Sequence, residues 1–206
     1  MMTAILAIVA AYVVGATPFG YLAGKWRGID IRKHGSGNIG ATNVLRTLGK
    51  PLGITVFILD FLKGLAPALA ALNLFPGSGS GSLIPIAVAL ATILGHNFTF
   101  WLGFKGGKGI ATSAGALVAL MPLPILAALV VWLTTFFSFK YVSLASMLAA
   151  LAVPVTLAAL QFTRGPQDFP LLIFASLIAC LAIFRHKSNI KKLFAGTENR
   201  FEKKKS

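Results

Sequence analysis

The amino-acid sequence predicts an all-α, polytopic membrane protein with seven transmembrane helical segments, an outside N-terminus and a cytoplasmic C-terminus. Hydrophobic residues make up 56% of the 206 residues and charged residues 12%, against roughly 25% charged residues in average soluble domains. The chain also carries 19 Lys and Arg against 5 Asp and Glu. The basic residues collect between the apolar runs, as they do in cytoplasmic loops of membrane proteins. We predict one membrane domain over residues 1–206.

The first three apolar runs set the predicted orientation. Residues 2–24 carry no charge and are followed by basic residues, which predicts a helix that enters from outside and ends in the cytoplasm. The opposite polarity would be typical of a cleaved signal peptide. Residues 51–75 then return to the outside, where the Gly- and Ser-rich stretch 76–82 predicts a turn. Residues 83–104 come back to the cytoplasm.

The second half of the chain contains an apolar stretch, 109–137, that is too long for a hydrocarbon core of ~30 Å. Pro122 and Pro124 predict a break there, because proline cannot donate a helical hydrogen bond and clashes with the preceding turn. The short first piece either spans the membrane or dips into it, and both options give the same topology. This topology places 17 of the 19 basic residues on the cytoplasmic side, the exceptions being Lys63 and Arg164. The predicted helices of this half are 109–121, 123–138, 141–161 and 169–184.

The first unusual cytoplasmic segment, 35–46, reads Gly-Ser-Gly-Asn-Ile-Gly-Ala-Thr-Asn-Val-Leu-Arg. It contains the pattern G-x-G-x-x-G, which signifies a dinucleotide site only between a strand and a helix of a βαβ unit. Here it lies between membrane helices, so we exclude that interpretation. Its glycines let backbone N–H groups approach an oxyanion, and Asn, Thr and Arg add donors. The segment therefore predicts phosphate binding.

The second segment, 104–113, reads Phe-Lys-Gly-Gly-Lys-Gly-Ile-Ala-Thr-Ser. It is not a Walker loop, because Gly109 follows Lys108 where Ser or Thr is required. It leads into the predicted helix 109–121, whose N-terminus offers unpaired N–H groups and the positive end of the dipole. Lys105 and Lys108 beside that terminus favour a phosphate site. The alternative is a tight turn whose lysines only set topology.

The third segment, 185–198, follows the last span. His186 and Asn189 are spaced i,i+3 and share a face if the last helix continues into this tail. The alternative is a basic amphipathic tail that rests on anionic lipid.

Ionisable groups elsewhere are few. Asp30 and Glu198 are the only carboxylates near the three segments, too few to hold a divalent cation, so we predict metal-free phosphate recognition. Asp60 and Lys63 lie i,i+3 inside a span, where they either neutralise one another or serve function, and His96 with Asn97 follows near the end of the next span. The single Cys180 excludes an internal disulfide.

Taken in order, the three segments resemble the bacterial acyl-phosphate:glycerol-3-phosphate acyltransferase family, the integral-membrane type called PlsY. The matching motifs are Ser36-Gly-Asn-Ile-Gly-Ala-Thr-Asn43 through Arg46, Lys105-Gly-Gly-Lys-Gly-Ile-Ala-Thr112, Tyr141-Val-Ser143, and His186-Lys-Ser-Asn-Ile190 through Glu198. The family often has Arg where this chain has Lys140. The resemblance implies transfer of a fatty acyl group from acyl phosphate to the 1-hydroxyl of glycerol 3-phosphate, the first acylation of phospholipid biosynthesis, on the cytoplasmic face of the bacterial inner membrane.

With that reaction, residue roles follow as predictions. The catalytic residues are Ser36, His186 and Asn189. The acyl phosphate head is assigned to Gly37, Asn38, Gly40, Thr42 and Asn43. Glycerol 3-phosphate is assigned to Arg46, Lys105 and Ser143, with Gly106, Gly107, Lys108 and Lys140 supporting its phosphate or that of the donor. No cofactor and no metal are expected.

Several alternatives stay open at this point. The base is either His186 or a phosphate of the substrate. A transporter for phosphorylated metabolites would need polar groups through the whole bilayer, and a scaffold that binds anionic lipid would not need the Gly-Asn-Thr turns. The expected partners are the two substrates and the bilayer, with no nucleic acid. The oligomeric state is not predicted, and a monomer is compatible with the sequence.

Overall fold

The computed structural model describes residues 1–75, 83–164 and 168–201, apart from the side chain of Arg164, and regular secondary structure in these ranges is helical throughout. The predicted outside turn, 76–82, and the side chain of Arg164 lie outside the described parts. The α-helices are α1 (Met2–Ala16), α2 (Phe19–Trp26), α3 (Ala41–Leu48), α4 (Lys50–Leu74), α5 (Leu83–Asn97), α6 (Ile110–Leu120), α7 (Pro122–Phe139), α8 (Val142–Arg164), α9 (Phe169–Arg185) and α10 (Lys187–Phe194). Short 3₁₀ turns occur at Ile31–Lys33 and Phe100–Leu102.

Each predicted apolar segment is helical, and the chain is a multi-pass membrane protein. In the described ranges, five segments are long and apolar enough to cross a bilayer, and α9 with α10 makes a sixth if this pair, bent by 56°, is one span. Helix α6 has only 11 residues, about 16 Å at 1.5 Å per residue, which is shorter than the hydrocarbon core. The count of seven crossings and the orientation of the termini therefore stay predictions.

The predicted first helix is in fact broken, which corrects the expectation of one helix over 2–24. Helix α1 ends at Ala16 and α2 begins at Phe19, because Pro18 has no N–H to continue the helical ladder. At the break, side chains from distant parts of the chain donate to the carbonyls of Ala16 and Thr17. Thr99 Oγ1 donates to the Ala16 carbonyl at 2.5 Å. Such replacement partners are required for a broken helix at membrane depth.

The third apolar run also ends earlier than predicted. Helix α5 stops at Asn97, and the chain turns through Phe100–Leu102 rather than remaining helical to residue 104. The break predicted at Met121 is confirmed, since α6 ends at Leu120 and α7 begins at Pro122.

The chain forms two compact units, which we describe separately; the single domain over 1–206 stays a prediction. In the unit Met1–Leu120, α1 packs against α5, and α4 packs against α3, α5 and α6. Helices α4 and α6 come close through glycines on both sides. A Cβ at Gly64 would collide with the Thr112 backbone, and one at Gly115 with the Phe61 backbone. Small residues permit this approach in membrane helices. In the unit that begins at Met121, α8 packs against α7 and α9.

Candidate functional site

The first motif folds as a loop closed by one buried asparagine at the start of α3. Asn43 is 1% exposed, and its Oδ1 accepts from the Ser36 N–H at 2.8 Å. Its Nδ2 donates to the backbone carbonyls of Asn38 at 2.8 Å, His34 at 3.0 Å and Ile31 at 3.3 Å. The carboxamide thus contacts four backbone groups of the loop and of the turn before it, with the two hydrogens of its NH₂ group shared among three carbonyls.

Other residues of the motif take defined positions around Asn43. Asn38 Oδ1 accepts from the Gly40 N–H at 2.8 Å, an Asx turn that leads into α3. Thr42 and Arg46 are half-buried and one turn apart on α3, so they lie on one face of that helix. Ser36 is half-buried in the loop. The hydrogen bonds favour a role for Asn43 in holding the loop, and its predicted direct contact with acyl phosphate stays a prediction.

We expect Asn43→Ala to open this loop and to lower the free energy of unfolding by about 2 kcal/mol, because the Ser36 N–H and the Asn38 carbonyl lose the hydrogen bonds that Asn43 makes to them. Asn43→Asp should also destabilise the protein, although aspartate has nearly the same size as asparagine. A carboxylate still accepts from the Ser36 N–H, but it has no hydrogen to donate and repels the three carbonyls. Asn73→Ala is the matched control, because Asn73 is exposed and bonds only one carbonyl of its own helix. Denaturation in detergent measures the effect, and an Asn43→Ala protein as stable as the Asn73 variant would contradict it.

The carboxylate of Asp30, which precedes the first motif, is already neutralised. Arg32 Nε and a terminal guanidinium nitrogen donate to the two Asp30 oxygens at 2.9 and 2.7 Å. These hydrogen bonds from Arg32 hold the pKa of the Asp30 carboxyl well below its usual range, and the pKa of Arg32 is raised in turn. Arg32 also lies over the Tyr21 ring, 4.9 Å from its centroid. Asp30 is therefore paired and offers little repulsion to an anion near this segment.

The second motif is a loop bonded to the end of α5. The Gly106 N–H donates to the Asn97 carbonyl and the Gly107 N–H to the His96 carbonyl, both at 3.1 Å. A Cβ at Gly107 would collide with the His96 imidazole, so only glycine allows this approach. Lys105 is exposed, Lys108 is half-buried, and α6 begins directly afterwards at Ile110. Lys108 thus lies two residues before the first residue of α6 and Lys105 five residues before it, and phosphate binding by these lysines stays a prediction.

The third motif contains a bend that the sequence prediction did not include. Helix α9 ends at Arg185, and α10 begins at Lys187 at an angle of 56°, so the last helix does not continue straight. His186 lies at the bend and is 3% exposed. Its Nδ1 is 2.7 Å from the Ala182 carbonyl oxygen. Asn189 is 8% exposed on the first turn of α10.

Glu198 joins the third motif to the α7–α8 junction. Its Oε1 accepts from Ser143 Oγ and from Asn189 Nδ2, each at 2.8 Å, and the residue is 9% exposed. The Phe201 N–H donates to the Lys140 carbonyl at 2.9 Å, which fixes the tail to the same junction. No role was predicted for Glu198, and the sequence signal for it is the scarcity of carboxylates. The predicted site residues therefore fall into two sets, those of segments 35–46 and 104–113 in the first unit, and Lys140, Ser143, His186 and Asn189 in the second.

Comparison with known proteins identifies the family. The family model for glycerol-3-phosphate acyltransferase matches residues 5–196. The glycerol-3-phosphate acyltransferase of Desulforamulus reducens is 48% identical over 206 residues, covering all of this chain and 98% of its own. That of Aquifex aeolicus is 43% identical over 200 residues, covering 97% of this chain and all of its own.

Two solved structures share the fold. One is the crystal structure of PlsY (YgiH), an integral membrane glycerol 3-phosphate acyltransferase, in its glycerol 3-phosphate form, with a TM-score of 0.90 and 42% identity. The other is the lysophosphatidic acid form, with a TM-score of 0.86 and 41% identity. Each covers 97% of this chain and 96% of its own. The chain therefore belongs to the PlsY family of integral-membrane glycerol-3-phosphate acyltransferases.

Proposed function

We propose that this protein transfers a fatty acyl group from acyl phosphate to the 1-hydroxyl of glycerol 3-phosphate, giving lysophosphatidic acid and phosphate. The observation that carries the proposal is the pair of glycine-rich loops in the first unit, each followed by a helix and each bearing or adjoining basic residues. Solved relatives are described in glycerol 3-phosphate and lysophosphatidic acid forms, the acceptor and the product of such a transfer. Both proposed substrates carry a phosphate, which supports two phosphate-binding loops.

The proposed chemistry needs positioning more than activation. Acyl phosphate is a mixed anhydride, so the acceptor oxygen attacks the acyl carbon and the C–O bond to phosphate breaks with its electron pair leaving on phosphate. The acceptor proton passes to a base, for which we propose His186. The protein must orient the two substrates and stabilise the oxyanion that develops on the acyl carbonyl.

We assign roles to each unit separately. In the first unit, the loop with Gly37, Asn38 and Gly40, continued by Thr42 and held by Asn43, receives the acyl phosphate head. Arg46 and Lys105 bind the acceptor phosphate, and Gly106, Gly107 and Lys108 support a phosphate. In the second unit, Ser143 and Asn189 orient glycerol 3-phosphate beside His186, and Lys140 adds positive charge. Ser36 contributes its hydroxyl and, through its N–H, the shape of the first loop.

We further propose that phosphate is bound without a metal. The four carboxylates in the described parts of the chain each have protein partners. Asp30 pairs with Arg32, Asp60 with Lys63, Asp168 caps α9 through the Leu171 N–H, and Glu198 accepts from two side chains. The two segments themselves carry Arg46, Lys105 and Lys108, whose charged groups bind phosphate directly. The chemistry of these residues therefore supports phosphate recognition by Arg, Lys and N–H donors.

We also propose seven crossings with the active face in the cytoplasm of a bacterial inner membrane. The distribution of basic residues supports it, since this topology collects 17 of 19 on one side.

Inverted membrane vesicles, which expose the cytoplasmic face, test both the reaction and the membrane face on which the active site lies. Palmitoyl phosphate is supplied with or without glycerol 3-phosphate, which does not cross the bilayer, and both phosphate release and lysophosphatidate are measured. We expect release that requires the acceptor, equals the lysophosphatidate formed and survives EDTA. Turnover with acyl-CoA alone would overturn the donor, and uptake of the acceptor without turnover would favour a transporter. Right-side-out vesicles are the control and should be inactive.

A further inference from the structure

A buried ion pair lies on α4, away from the three motifs in sequence. Lys63 Nζ is 2.8 Å from Asp60 Oδ1, and the two residues are 5% and 2% exposed. The i,i+3 spacing places them one above the other on the helix. Charges in a membrane-spanning segment are costly and need a partner. Asp60 and Lys63 neutralise one another, which is one of the two roles considered for them from the sequence. Each of the two groups also contacts residues outside the pair.

The lysine of this pair fixes the break in the first span. Its ammonium donates at 2.7 Å to the Thr17 carbonyl at the break, which also accepts from the Phe19 N–H at 3.2 Å. It also lies 5.3 Å from the centroid of the Phe19 ring. Lys63 thus holds α4 to the junction of α1 and α2, and its position fixes that of the Asp60 carboxylate.

The carboxylate of the pair faces a histidine at the end of α5. His96 is 5% exposed, and its Nδ1 is 3.6 Å from Asp60 Oδ1. The opposite edge of the ring, at Nε2, meets the backbone of Gly107, where a Cβ would overlap it. The His96 carbonyl in addition accepts from the Gly107 N–H. The imidazole therefore lies between Asp60 and the loop 105–109.

We propose that Asp60, Lys63 and His96 form a loop-support cluster that fixes the conformation of the glycine-rich loop 105–109 and thereby sets the affinity for the acceptor substrate. These are positioning residues, because they act through the backbone of the loop. Lys63 anchors Asp60, Asp60 faces one edge of the His96 ring, and the other edge limits where Gly107 lies. This inference rests on the proposed function for its substrate, since it takes loop 105–109 to bind the phosphate of glycerol 3-phosphate.

A double-mutant cycle, in which one side chain is enlarged and the other shortened, tests the contact between His96 and Gly107. Gly107→Ala should displace the loop and raise KM for glycerol 3-phosphate at least about tenfold, with kcat within about twofold, because a displaced loop binds the phosphate less tightly in the ground state and the transition state alike. In a His96→Ala background the added methyl has room, so Gly107→Ala should change KM by less than about twofold. If the two substitutions act independently and their effects multiply, the cluster does not support the loop.

Trypsin cleavage after Lys105 and Lys108 supplies a readout that does not depend on substrate. We expect faster cleavage in His96→Ala, and in His96→Gln if the alanine variant does not fold, at an unchanged melting temperature in detergent. Thr92→Val is the matched control, since Thr92 is buried on the same helix and bonds only the Val88 carbonyl. Unchanged cleavage in a folded His96 variant would overturn the cluster. Faster cleavage with unchanged KM for both substrates would retain the cluster but contradict the proposed phosphate role of the loop.

Discussion

Replacing His186 with alanine is expected to lower kcat about 100- to 10 000-fold, with KM for glycerol 3-phosphate changed by less than about threefold. The reason lies in the proton on the ring. Nδ1 is 2.7 Å from the Ala182 carbonyl oxygen, which can only accept, so Nδ1 must carry the hydrogen. In the neutral ring the lone pair is then on Nε2. Hydrogen bonding to the last turn of α9 thus prepares the tautomer that a general base requires.

His186→Asn separates the base role from a positioning role. The asparagine amide can still donate to the Ala182 carbonyl, but it cannot take up a proton at neutral pH. We expect it to lose as much kcat as alanine does. The pH–rate profile should also lose its acid limb, because the wild-type enzyme loses its base when the imidazole is protonated in acid.

His34→Ala is the matched control, since His34 is exposed and contributes only its backbone carbonyl to the first loop. It should retain activity within about twofold, as expected for a surface side chain outside the site. If His186→Asn keeps substantial turnover and mainly raises KM, the base role is excluded. A phosphate of the substrate would then be the proton acceptor, and His186 would orient the glycerol moiety.

Parts of the fold could be predicted because the length of the apolar runs and the distribution of basic residues are compatible with only one arrangement of helices. The break at Met121 follows from an apolar run too long for the membrane and from the need to keep Lys140 and the basic tail on the cytoplasmic side. The break at Pro18 could not be predicted in this way. Residues 2–24 already have the length of a span, and the side chains that donate to the carbonyls at the break, Lys63 and Thr99, come from distant parts of the chain.

The sequence indicates which segments contain the candidate site residues, but it does not indicate which contacts their side chains make. Clusters of glycine with polar or basic residues predict loops in segments 35–46 and 104–113, and the structure has loops there; phosphate binding by these loops stays a prediction. Whether Asn43 faces a ligand or closes its own loop depends on four backbone groups brought together only by folding. His96 is a similar case, because a lone histidine in an apolar helix gives no sign that a glycine 11 residues later packs on its ring.

Replacing Glu198 is expected to reduce both the stability and the activity of the protein. Glu198→Ala should lower the free energy of unfolding by about 3 kcal/mol, because two hydrogen bonds to a buried carboxylate are lost together. It should also lower kcat/KM about 100-fold, since Ser143 and Asn189 lose the group that orients them. Glu198→Gln keeps an acceptor oxygen without the charge and should fall between alanine and the wild type. Thr197→Ala, an exposed neighbour, is the control.

A double-mutant cycle distinguishes this explanation from a general loosening of the tail. Ser143→Ala alone should reduce stability, but in the Glu198→Ala background it should cost almost nothing more, because the bond between the two residues is already absent. Coupling below about 0.5 kcal/mol would contradict the shared hydrogen bond, since contacting residues in one network usually couple more strongly. Because Oε1 also accepts from Asn189, the same cycle with Asn189→Ala should show similar coupling. If both cycles couple, one carboxylate fixes the two polar side chains that we assign to the acceptor, and the tail that carries it is part of the substrate-binding machinery.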